Sequence, residues 1–163
     1  MIRILFCLIL VALTSCSQGN KNQSGTNDIN KVKLKDLNDK EIDSDQFRGK
    51  TVFINFWATW CKPCLQEMPS IESAQAKLKG ENVVFLLASN EEVDQIESFI
   101  KKHDYTFQYV LLENMEELNI QALPTTYIFN SEGELKFSET GSRKWDDFTS
   151  LNLITTIIND YEK

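Results

Sequence analysis

The stretch FINFWATWCKPCLQEMP, Phe53 to Pro69, sets two cysteines three residues apart directly after an apolar run. The run TVFINFWA (51–58) is too continuous for a half-exposed strand and predicts one buried on both faces. From about Pro63 to Lys79 the apolar positions Cys64, Met68, Ile71 and Leu78 follow helical spacing, and Gly80 is placed to stop that helix. Pro69 falls inside it, where its missing N–H and its crowding of the preceding turn predict a kink. The cysteines thus stand where a strand turns into a helix.

That position has chemical consequences. Cys61 falls at the helix N-terminus, with Pro63 near the first helical position. Unpaired N–H groups and the positive end of the helix dipole favour an anion there, and Lys62 adds a charge beside it. The Cys61 thiol is expected to ionise below the ~8.5 of a free thiol. Cys64 lies one turn later, facing inward, where it can attack a mixed disulfide on Cys61. Aromatic residues from Phe56 to Trp60 would shield the pair and offer an apolar approach. Three readings of the motif are open at this point: half of a metal site, a structural disulfide, or a redox pair.

The remaining cysteines narrow the choice. The opening MIRILFCLILVALTSCS carries Arg3 and then an apolar run from Ile4 to Leu13. A stable membrane span takes about 20 apolar residues, so the run suits a secretory signal over residues 1–15 instead. Leu13-Thr14-Ser15-Cys16 resembles a bacterial lipobox, with cleavage before Cys16 and a lipid on its thiol. An ordinary signal with a chance cysteine and a retained anchor are the alternatives. Ser17 after that Cys, in place of the Asp that retains enteric-type lipoproteins in the inner membrane, favours an outer membrane if the cell has one. Of the four cysteines, Cys7 leaves with the signal and Cys16 is lipidated, so Cys61 and Cys64 remain as thiols. An exported compartment permits disulfides, but no disulfide scaffold can be built from one pair. A structural zinc site wants four ligands, and His103 is the single histidine. No metal site is expected; His103 reads as a residue near a helix C-terminus.

The rest of the chain divides simply. Residues 16–30 form a polar segment rich in Ser, Gly, Asn and Gln, read as a tether with a reach of roughly 20 Å. The folded domain is expected over residues 31–163. It opens with a hairpin around Asn38-Asp39, followed by the motif strand and helix. A second buried strand is predicted at 82–89, then a helix ending near His103 and opened by a Ser89–Glu92 capping box. A short strand at 106–112 and a brief helix around Met115–Asn119 follow. Two antiparallel strands, 125–130 and 134–139, turn at Asn130-Ser131-Glu132-Gly133. Trp145, Phe148, Leu151, Ile154, Ile158 and Tyr161 mark a terminal amphipathic helix. This order predicts an α/β domain: a central mixed sheet with helices on both faces and an extra N-terminal hairpin.

Composition excludes some functions. Apolar content of 42% is that of an ordinary globular protein, and 163 residues suffice for one core. A net charge of −7 leaves no basic stripe for nucleic acid or for anionic lipid.

FWATWCKPC, followed later by ALPTT, resembles the thioredoxin superfamily and, more narrowly, the TlpA/ResA group of exported, membrane-tethered thiol–disulfide oxidoreductases. The resemblance covers about Lys31 to Lys163. It implies a thioredoxin-like fold, a cis peptide before Pro124, and a substrate platform of Leu123, Pro124 and Thr125 beside Trp60, Lys62 and Pro63. A trans Pro124 ending the preceding short helix is the alternative. Cys61 would attack and Cys64 resolve, with no cofactor beyond their own disulfide. Thioredoxins carry a buried Asp on the strand before the motif; here that position is Asn55. The TlpA/ResA-like group places an acid just after the motif, and Glu67 matches it. As a catalytic carboxylate it would accept the Cys64 proton and raise the thiol pKa values. An exposed helix acid beside Lys62 is the other reading. The signal and lipobox place the expected protein, a monomer, in the cell envelope facing the periplasm or extracytoplasmic space, working on exported proteins with disulfides or thiols; the resemblance implies a membrane thiol-electron carrier as its donor. Reduction is the implied direction. A metal- or haem-delivery chaperone using the same cysteines is the alternative in another class. A thiol peroxidase is a further one, although peroxiredoxins place Pro and Thr upstream of their Cys, where this chain has Asn55 to Trp60.

Overall fold

The computed structural model of the protein describes residues 27–160, so the signal, Cys16 and most of the tether lie outside the described residues. Seven strands form one sheet: β1 (Leu34–Lys35), β2 (Glu41–Ile42), β3 (Thr51–Phe56), β4 (Val83–Ser89), β5 (Gln108–Leu112), β6 (Thr125–Phe129) and β7 (Leu135–Thr140). Their order is β2-β1-β5-β4-β3-β6-β7. The motif strand β3 is central, parallel to β4 and antiparallel to β6. All six of its residues are buried, as an uninterrupted apolar run requires.

Three helices follow: α1 (Lys62–Lys77), α2 (Val93–Ile100) and α3 (Phe148–Asn159). Alternate residues of β3 serve two cores. Phe53 joins Met68 and Ile71 of α1, Ile96 and Phe99 of α2, and Ile154 and Ile157 of α3. Val52, Ile54 and Phe56 join Ile29, Val32, Phe47 and Leu118 instead. Helices on both faces were expected, and here the structure corrects the sequence. The crossovers β3-α1-β4 and β4-α2-β5 both step the same way across the sheet. Right-handed connections then put both helices on one face, and α3 joins them there. The opposite face is covered by the N-terminal segment, short 3-10 turns and the loop before β6.

Local differences have local causes. The chain packs from Asn27, ahead of the expected start at Lys31: Leu135 N–H donates to Asn27 O at 3.1 Å and Ile29 N–H to Gly133 O at 2.9 Å. Gly133 has φ +84°, and a side chain there would meet Ile29 at 2.7 Å. The α2 capping box is Glu92–Gln95, the Gln95 carbonyl accepting from Glu92 N–H at 3.2 Å. Ser89 is taken up by Glu91 instead. The helix expected at Met115–Asn119 is a set of turns, because Asn114 is buried and stitched to Lys31 and Lys33, and Asn119 adopts φ 55°. Helix α1 continues through Pro69. Trp145 is buried ahead of α3 while Phe148, on the expected apolar stripe, is exposed; Tyr161 lies outside the described residues.

Candidate active site

The end of β3 hands the chain to α1 through a tightly held loop. Trp57 is fully buried against Phe99 and Tyr109, and its backbone N–H donates to Ala88 O at 3.0 Å. The Glu91 carboxylate then grips Thr59 twice, from its backbone N–H at 2.6 Å and its hydroxyl at 2.7 Å. Cys61 N–H donates to Ala58 O, and Cys61 becomes the N-cap of α1, its sulfur accepting from Cys64 N–H at 3.3 Å. Lys62 and Pro63 occupy the first helical positions, where a missing proline N–H costs nothing.

Cys61 and Cys64 form a disulfide. Cys61 is 3% exposed and Cys64 0%, so an incoming thiolate reaches Cys61 first. Trp60, at 72% exposure, immediately precedes Cys61, and Lys62 and Pro63, between the two cysteines, are exposed as well.

The second wall comes from β6. Thr125 pairs with Phe56, which sets Pro124 alongside Trp57, and the Leu123–Pro124 bond is cis. Pro124 O accepts from Gly141 N–H at 2.8 Å. Leu123 is half-buried, and neither its N–H nor its C=O has a backbone partner among the described residues. An extended segment of a partner can pair with those groups. Thr125, expected on the platform, is buried behind it, its hydroxyl donating to Ala122 O at 2.8 Å. It braces the loop from within because β6 is interior on both faces.

Glu67 is 4% exposed on the inner side of α1, which removes the reading of an exposed helix acid beside Lys62. One oxygen accepts from Asn55 Nδ2 at 2.8 Å and the other from Arg143 N–H at 2.9 Å. Burial pushes the Glu67 carboxyl above the ordinary range; the Arg143 N–H, Asn55 and the nearby Trp145 indole oppose it, and Glu139 adds to the rise. The Trp145 indole N–H is buried beside it without a well-formed hydrogen bond. Arg143 is itself locked: its guanidinium binds Glu139 and Ser150 and lies over Phe137 and Trp145. A cleft of about 460 Å³ lined by Gln66, Ser70, Ser142, Arg143 and Lys144 opens beside Glu67.

Glu91 and Arg143 were not visible from the sequence. Their contacts cross 32 and 76 residues, and neither sits in a local pattern. Among the described residues no three His, Cys, Asp or Glu side chains gather into a ligating cluster. His103 lies just past α2 in an aromatic stack with Phe99 and Tyr105.

With each sulfur bonded to the other and one of them reachable at a helix start, the chemistry available is dithiol–disulfide exchange. The class so defined is the thioredoxin-like thiol–disulfide oxidoreductases. The chain is 30% identical over 148 residues to the thiol-disulfide oxidoreductase ResA of Bacillus cereus, covering 82% of this chain and 85% of that one. It is 31% identical over 128 residues to ResA of Bacillus subtilis, covering 76% and 72%. A solved thiol:disulfide interchange protein of the thioredoxin family from Chlorobium tepidum shares the fold at TM-score 0.64 and 20% identity, covering 78% of this chain and 93% of that one. The chain belongs to the AhpC/TSA family, whose match spans residues 26–138.

Proposed function

We propose that the protein is an exported reductant, lipid-anchored through Cys16, that opens disulfides in other exported proteins. The observation that carries the chemistry is the nearly buried Cys61–Cys64 disulfide at the start of α1, with the free backbone of Leu123 just ahead of the neighbouring β6 and Glu67 buried one turn after Cys64. In the reduced enzyme the Cys61 thiolate attacks a partner disulfide. One partner sulfur bonds to Cys61, and the other leaves as a thiolate. Glu67 accepts the Cys64 proton, the Cys64 thiolate attacks Cys61, and the second partner sulfur departs. Two electrons pass to the partner and the disulfide seen here is formed. A membrane thiol-electron carrier would restore the dithiol. Lys62 and the helix dipole favour the Cys61 thiolate, while the Glu67 charge raises the thiol pKa values.

Equilibrating the Cys61–Cys64 couple against glutathione tests the direction. A potential near the about −270 mV of thioredoxin is expected; one near the about −120 mV of DsbA would make the protein an oxidant. The anchor is tested separately: wild type partitions with membranes and Cys16→Ser is released, whereas equal partitioning rules out lipid on Cys16.

A further inference from the structure

The position where thioredoxins keep an acid is filled here by Asn55, and its surroundings give it a function. Asn55 is fully buried on β3, directly opposite Thr126 of β6. Its Nδ2 donates to Glu67 Oε1 at 2.8 Å and to Thr126 Oγ1 at 2.9 Å, using both amide hydrogens. Its Oδ1 is buried with no partner. A native interior seldom leaves an acceptor unmet without a reason.

We propose that Asn55 is a positioning residue that holds Glu67 in both of its protonation states, resting on the reading of Glu67 as the proton acceptor. Ionised Glu67 needs donors on both oxygens, and Asn55 and the Arg143 N–H supply them. The Arg143 donor is backbone and cannot reverse, so the proton that Glu67 takes up belongs on Oε1. An O–H there needs an acceptor. Rotating the Asn55 amide by half a turn brings Oδ1 into the place of Nδ2, where it accepts from Glu67, and turns the two Nδ2 hydrogens into the buried place of Oδ1, a cost set against the bonds gained from Glu67 and Thr126. Thr126 follows, because its hydroxyl can donate as readily as it accepts. Leucine would serve neither state and aspartate could not donate to the ionised one. The charged groups around Glu67 are Glu139, Arg143, Lys144 and Asp146, with the Cys64 sulfur one turn away. Asn55 changes none of those charges.

The test compares the acid limb of the exchange rate against pH for wild type, Glu67→Gln, and Asn55→Leu. Asn55→Leu strips a charge-assisted hydrogen bond from ionised Glu67, so its acid limb should move up by about one pH unit, a loss of about fivefold in rate at the wild-type midpoint and about tenfold well below it. A role confined to packing lowers the melting temperature and leaves that limb in place. If Glu67→Gln abolishes the limb while the Asn55→Leu profile overlays wild type, this inference falls alone. If Glu67→Gln leaves the wild-type profile unchanged, the role of Glu67 falls and this inference with it. Should Asn55→Leu fail to fold, side-chain amide NMR of the wild type decides. Contacts from the Asn55 Nδ2 hydrogens to Thr126 should vanish as Glu67 protonates; their persistence overturns the proposal.

Discussion

A Cys64→Ser variant accumulates mixed disulfides on Cys61, and its turnover falls by on the order of a thousandfold. Cys61 is the reachable sulfur and Cys64 is fully buried, so attack on a partner begins at the first and release depends on the second. Without Cys64 the intermediate has no internal nucleophile to clear it. Mass spectrometry of alkylated adducts reads the result, and the adducts name the partners as well. Equal recovery of adducts on Cys64 from a Cys61→Ser variant would remove the assigned order.

Replacing Glu67 with Gln slows exchange by about a hundredfold, because a positioned proton acceptor contributes roughly that much. The same change stabilises the fold at neutral pH by about 1 kcal/mol, a common exchange of activity for stability at a strained site. Burial raises the Glu67 carboxyl above its ordinary range. Its contribution to stability is therefore complete below the ordinary carboxylate pKa and is lost as pH rises through the raised value. Wild type should weaken across that interval while Glu67→Gln does not, as followed by urea denaturation at several pH values. A variant that is both slower and no more stable at any pH would show that the carboxyl does not titrate in the folded protein.

What was legible in the sequence was local. The strand-to-helix turn around Cys61 rests on an apolar run, a proline and helical spacing within one stretch, and the structure reproduces it. The cis bond before Pro124 was carried by the family resemblance. The placement of the helices was not local: it follows from the direction in which successive crossovers step across the sheet, which periodicity does not encode. Residues 115–119 carry a helical pattern, yet the buried side chain of Asn114 commits its surroundings to the N-terminal segment. The site divides the same way. Cys61, Cys64 and Glu67 lie on one helix and were found together. The groups that set Glu67's environment, Asn55 and Arg143, come from β3 and from the segment before α3, and only folding brings them to it.

The seam between Asn27 and Leu135 also fixes where the described chain enters the fold. It lies at the end of the sheet where β3 begins, while the disulfide lies beyond the end where β3 finishes. Six residues of strand separate the two by about 20 Å. The described chain therefore enters the fold at the end opposite the sulfurs, and a partner that reaches Cys61 does not meet the N-terminal seam.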